Sequence, residues 1–187
     1  MKHGIICIET EWEVTKKGNR CPLNSEPLLK FISETYNVPY FYRQVATKAE
    51  LTYYIKQFCK KEYSNFDVFY FSFHGNRQII QLEGEKEHLS LDELADLSDN
   101  LFKDKFVHFS SCRTLLGSTN PLDQFKSKTG AKVVTGYTKS VDTTLSAILD
   151  VALIGEFFTH KQIPSIFNNL EKRFGGLQKE LGFKVLK

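Results

Sequence analysis

The segment Val68-Phe69-Tyr70-Phe71-Ser72-Phe73 is apolar at nearly every position. A strand with one face in water would alternate. An unbroken apolar run of this length belongs instead to a central parallel strand, with helices covering both faces of its sheet. The remainder of the chain supplies what that strand requires, because short apolar runs alternate along it with segments of helical period. That order predicts an α/β sandwich around a largely parallel sheet.

Gly4 to Ile8 reads as the first strand. Asn24 or Ser25 then caps a helix whose Leu28, Leu29, Phe31, Ile32 and Tyr36 share one face, and Pro39 ends it. Tyr40 to Val45 is the second strand. Thr47 and Glu50 form a capping box for a helix with Leu51, Tyr54, Ile55 and Phe58 inward, stopping near Tyr63. The Val68–Phe73 strand follows and runs into His74-Gly75. Gln78 to Leu82 and His88 to Leu89, around Gly84-Glu85, read as a small hairpin beyond the main sheet. Ser90 and Glu93 make a second capping box, for a helix through Leu94 and Leu97. Phe106 to Ser111 is a strand ending at Cys112. Pro121 to Lys128 is a short helix, Ala131 to Gly136 a fifth strand, and Asp142 or Thr143 opens a long helix with Leu145, Ile148, Leu149 and Ala152 on one face. The tail, from Ile163-Pro164 through Gly175-Gly176, carries a further helical stretch.

Size and composition narrow the classes. The 187 residues suit one domain spanning 1–187, and 41% apolar with 25% charged residues is the balance of a soluble globular protein. A net charge of +3, with lysines scattered in pairs such as Lys16-Lys17 and Lys60-Lys61, lacks the basic stripe of a nucleic-acid binder. Cys7, Cys21, Cys59 and Cys112 show no metal-ligand spacing and no disulfide framework, so reduced thiols in a cytoplasmic protein are expected, with no metal or cofactor. The Ile5–Ile8 run is too brief for a signal peptide, and Leu145 to Phe158, interrupted by Asp150 and Glu156, is too short to cross a bilayer. No membrane or nucleic-acid partner is expected.

In open parallel sheets, ligands bind beyond the carboxyl ends of the strands. His74 and Cys112 each stand at such an end. A cysteine attacks as the thiolate, a histidine in reach moves the proton, and the oxyanion of acyl transfer needs preorganised N–H donors. The reading that follows has Cys112 as nucleophile, His74 as acid and base, and the amides of Gly75 and Cys112 as the oxyanion hole. The ordinary alternative is a buried cysteine and a satisfied core histidine. Placement of the two at consecutive strand ends favours a site.

The strand into His74-Gly75, the hairpin, Leu89-Ser90-Leu91-Asp92-Glu93-Leu94, and Val107-His108-Phe109-Ser110-Ser111-Cys112-Arg113-Thr114-Leu115-Leu116-Gly117 together resemble the CHAT family. These are caspase-like cysteine peptidases, related to caspases, metacaspases, gingipains and separase. The resemblance continues through Ala131–Tyr137 and Val141-Asp142 into the long helix, covering about residues 66 to 158. It implies a caspase-like three-layer α/β/α fold, a His74/Cys112 dyad, and a cysteine endopeptidase acting on a protein or peptide substrate, with a possible regulatory protein partner. Arg113 stands where many members carry an acid, Tyr137 near a position where they often have tryptophan, and the Gln-Ala-Cys signature of caspases is absent.

Other residues compete for roles. His108 shares a strand face with Ser110 and Cys112, and its mid-strand position marks it as packed. Ser111 and Arg113 flank the nucleophile as candidate substrate contacts. Asp142 either lines a pocket selecting basic residues or caps the long helix. A catalytically silent binding or scaffold module on the same fold is the main alternative function. A phosphate-binding domain would need a glycine-rich turn after the first strand, where Glu9, Glu11 and Glu13 stand instead.

Overall fold

The computed structural model describes residues 3–12, 24–83 and 88–187. Its elements, in chain order, are β1 (Gly4–Thr10), α1 (Glu26–Tyr36), β2 (Tyr40–Val45), α2 (Lys48–Phe58), β3 (Phe66–Ser72), β4 (His74–Asn76), β5 (Ile79–Gln81), β6 (His88–Ser90), α3 (Leu91–Ser98), β7 (Phe106–Phe109), α4 (Thr119–Thr129), β8 (Val133–Tyr137), α5 (Thr143–Thr159), α6 (Ile163–Leu181) and β9 (Phe183–Leu186). Six strands form one sheet in the order β2-β1-β3-β7-β8-β9, parallel except for β9, which runs antiparallel to β8. A three-stranded antiparallel sheet, β4-β5-β6, follows the histidine. Cys21, the Lys16-Lys17 pair, Glu13 and the Gly84-Glu85 turn lie outside the described residues.

The β3 run is buried from Val68 onward and sits third in the sheet, between β1 and β7. Helices α2, α3 and α4 cover one face, burying Leu51, Ile55, Leu94, Leu122 and Phe125 against Ile6, Ile8, Phe69, Phe71, Val107 and Phe109. Helices α1, α5 and α6 cover the other through Leu29, Ile32, Leu149, Leu153, Ile166 and Leu170. This is an α/β/α sandwich, and each such side chain contributes roughly 1.5–3 kcal/mol relative to leaving it exposed.

The second face is unusual. Register aligns Cys7, Tyr70, His108 and Thr135 in one row across β1, β3, β7 and β8. Two residues further along each strand, side chains return to the same face, so Glu9, Ser72, Ser110 and Tyr137 form a second row. Two polar rows therefore climb toward the carboxyl edge of an otherwise apolar sheet, and His74 and Cys112 follow beyond the strand ends.

Local expectations hold at several points. Both capping boxes form, at Thr47/Glu50 and Ser90/Glu93. Others are corrected. β1 continues through the buried Glu9 and Thr10, which look like loop residues until their partners are seen. α2 ends at Phe58, with a separate single 3₁₀ turn over Lys61–Tyr63. On α1 only Leu29 and Ile32 are buried; Phe31 is 56% exposed and Tyr36 36%. On α5 the buried face is Leu149, Leu153 and Ile154, while Ile148 is 47% exposed. The tail forms α6, kinked at Phe174 beside the Gly175-Gly176 pair, and then β9, which the sequence reading lacked. No helix among the described residues is long and apolar enough to cross a membrane.

Candidate active site

The register of β3 on β7 pairs Val68 with Phe106 and Phe71 with Phe109, an offset of 38 residues. His74 and Cys112 are also 38 apart. The ladder stops at Phe71 and Phe109, three residues short of both, and His74 itself opens β4. Two bonds extend the pairing beyond the ladder: Ser110 N donates to the Phe71 carbonyl at 2.8 Å, and Phe73 N donates to Ser111 Oγ at 3.1 Å.

The turn after Cys112 is held from two sides. Arg113 adopts φ of 54°, a left-handed conformation unfavourable for a side-chain-bearing residue. Its N–H donates to Lys139 O, and that of Leu115 to Tyr137 O, anchoring the turn to the end of β8. On the other side, Gln78 N donates to Thr114 O. Gly75 lies so close that an added Cβ would stand 2.6 Å from the Cys112 carbonyl oxygen and strike Thr114 Oγ1. A glycine is required here because the histidine loop rests directly on the cysteine turn.

His74 and Cys112 open into one cleft of about 460 Å³. Val141 N donates to Cys112 Sγ at 3.4 Å. The edge of His74 meets Trp12 with ring centroids 4.8 Å apart, and His74 Nε2 lies 3.9 Å from Glu83 Oε2. Glu83 stands in the turn that follows β5.

Beneath the two reactive groups are two buried carboxylates. Glu9, 1% exposed, accepts from Trp12 Nε1 (2.9 Å), Ser25 N (3.0 Å), Ser25 Oγ (2.8 Å), Tyr42 OH (2.5 Å) and Ser72 Oγ (3.0 Å). Asp150, fully buried, accepts from Tyr70 OH (2.7 Å), Ser110 Oγ (2.7 Å), Tyr137 OH (2.5 Å) and His108 Nε2 (2.7 Å), while His108 Nδ1 is hydrogen-bonded to Thr135 Oγ1. Burial pushes the Asp150 carboxyl toward protonation. The His108 charge, with bonds from His108, Ser110 and Tyr137, outweighs that and leaves it below the usual aspartate value. The phenols respond oppositely: burial, then the Asp150 charge, drives Tyr70 and Tyr137 upward, and burial followed by the Glu9 hydrogen bond does so for Tyr42.

These bonds decide what the cleft offers. Ser25, Ser72 and Ser110 line it, yet each spends its hydroxyl proton on a buried carboxylate. Oxygen lone pairs remain for a ligand, backed by negative charge. Among the described residues, the five Glu9 donors are themselves uncharged.

Among the expected site residues, His74, Cys112 and Ser111 line the cleft; Gly75, Arg113 and Asp142 are not among its lining residues. Ser111 is buried and receives Phe73 N, so it braces the two loops. Arg113 is exposed and serves the turn through its backbone. Asp142 caps α5, its Oδ1 accepting from Thr144 N and Leu145 N, while its neighbours Val141 and Thr143 form the cleft wall. His108 is packed, as its mid-strand position implies. Glu9, Trp12, Glu83 and Asp150 were not singled out from sequence. Acids ending an apolar strand and interrupting an apolar helix were the available signal for Glu9 and Asp150.

The model of a protein family described as a family of unknown function, DUF6642, matches residues 2–186. The chain belongs to DUF6642. No curated protein matches the sequence. The two polar rows and the cleft of this DUF6642 chain lie wholly within the matched span.

Proposed function

We propose that this DUF6642 protein is a cysteine endopeptidase of the caspase-like, CHAT type, using His74 and Cys112. The observation that carries the reading is the offset of 38 residues shared by the β3/β7 register and the His74–Cys112 pair. It supports a pairing of the thiol and the imidazole, which line one cleft at the carboxyl edge of the parallel sheet.

In the proposed reaction His74 takes the proton of the Cys112 thiol, the sulfur attacks the scissile carbonyl carbon, and the carbonyl electron pair moves to the oxygen, held by the amides of Gly75 and Cys112. Collapse breaks the C–N bond as His74 delivers a proton to the leaving amine. Water, deprotonated by His74, then attacks the thioester, releasing the acid and restoring the thiol. Glu83, 3.9 Å from His74 Nε2, stabilises the imidazolium when it forms. Reduced thiols suit such chemistry, and the cytoplasm, which keeps them so, is the proposed location.

The residue before the cleaved bond is proposed to be lysine or arginine. An ammonium or guanidinium carries only donors, matching a cleft in which Ser25 and Ser72 present acceptors over Glu9. Asp142, engaged at its helix cap, is set aside from this role. Hydrolysis of fluorogenic tetrapeptide amides tests both points. Amides ending in Lys or Arg should exceed those ending in Glu or Leu by about tenfold or more, as expected for a charge-selective site, and Cys112→Ala and His74→Ala should each remove turnover. Turnover surviving in Cys112→Ala would refute the mechanism.

A further inference from the structure

Four large apolar side chains are strongly exposed among the described residues: Phe31, Tyr36, Tyr53 and Ile148. Three of them, all but Tyr53, line a single groove of about 750 Å³. Its floor is the α5 face containing Ala147, Ile148, Val151 and Ala152, and α1 forms one wall. Exposed apolar side chains scattered singly need no explanation, but convergence on one concavity marks a binding surface.

The groove borders the candidate active site. Leu28 and Ala147 line both concavities, so the groove and the cleft adjoin along these two side chains. The floor runs from Thr144 to Thr159, about 22 Å at ~1.5 Å per helical residue. That length holds about seven residues of extended chain at ~3.3 Å each. Its far end is closed by Glu156, which is paired with Arg173 and His160.

We propose that the groove seats the stretch of substrate polypeptide flanking the scissile bond, with apolar side chains of that stretch packed against Phe31, Tyr36 and Ile148. This rests on the endopeptidase reading and specifies its substrate: an extended, unfolded segment with a basic residue in the cleft and an apolar run alongside. A second copy of the chain fits poorly. Two concave grooves placed face to face leave a void, and Tyr53, the one other strongly exposed large apolar residue among those described, is too little to fill one.

The test uses the Cys112→Ala protein and two fluorescein-labelled 14-residue peptides, each with a central lysine. One carries Leu and Phe at alternating flanking positions and the other Ser at the same positions. By fluorescence anisotropy the apolar peptide should bind at least tenfold more tightly. Phe31→Ser/Ile148→Ser should erase that preference, while Tyr53→Ser, on the opposite helix layer, should retain it; thermal melting confirms that each variant is folded. Equal affinity for the two peptides, or a preference untouched by Phe31→Ser/Ile148→Ser, would overturn the proposal. So would sedimentation showing a dimer that the double variant dissociates. If the preference is found but the unmodified protein leaves the apolar peptide uncut, the groove stands as a peptide site and the endopeptidase reading falls separately.

Discussion

Glu9 and Asp150 are both buried beneath the cleft and both saturated with hydrogen bonds, yet they are enclosed differently. Asp150 reaches down from α5 to side chains of β3, β7 and β8, one of its partners being the His108 imidazole. Glu9 points out from β1 and collects neutral donors, two of them from Ser25 and one from Trp12, residues that themselves line the cleft. One carboxylate locks the helix layer to the sheet. The other ties the rim of the site to the strand edge. The difference teaches that equal burial does not mean equal function: removing Asp150 should mainly cost stability, whereas removing Glu9 should mainly disturb the cleft.

The comparison breaks most directly at Asp150→Ala, which strands His108, Tyr70, Ser110 and Tyr137 in the core. A loss of about 3–5 kcal/mol is expected in urea denaturation, as for breaking a buried ion pair. Glu9→Gln should cost less, about 1–3 kcal/mol, because one oxygen still accepts, but it should sharply reduce the preference for Lys over Leu substrates. If Asp150→Ala altered that preference while Glu9→Gln left it intact, the assignment would be reversed.

Acid sharpens the contrast. Asp150 is lowered from its ordinary 3.8, so its contribution is complete above that value and disappears as pH falls through the folded value below it. Urea titrations should show the native protein losing stability in that acid range more steeply than Asp150→Asn, and parallel curves would remove Asp150 as the cause. The smallest effect belongs to Ser72→Ala, which deletes one of the Glu9 donors; about 1 kcal/mol is expected, measurable as a shift in melting temperature.

Much of the frame was legible because it depends on short-range chemistry. The β3 run and the two capping boxes are each specified by a few adjacent side chains. The polar rows were not, because they exist only once register aligns residues far apart in the chain, as Glu9 with Ser72 and His108 with Asp150. Phe31, Tyr36 and Ile148 misled for a related reason: helical spacing identifies an apolar stripe but not how wide the neighbouring layer is. Here Leu29 and Ile32 meet the core while the stripe's edges line the groove. β9 escaped because four residues after a helix cap at Gly182 become a strand only by pairing with β8.

The central claim is that Cys112 is a nucleophile assembled with His74, and it is tested most directly by covalent trapping. A lysyl chloromethyl ketone peptide, incubated with the full chain under reducing conditions, should give one adduct, mapped by mass spectrometry to Cys112. The adduct should be lost in Cys112→Ala and slowed at least tenfold in His74→Ala, the scale expected for losing the proton-transfer partner. Cys59, exposed but with its thiol pushed up by burial and by Asp99, is the internal control and should remain unlabelled. Labelling of Cys59 at the same rate as Cys112, or no Cys112 adduct at all, would contradict the account.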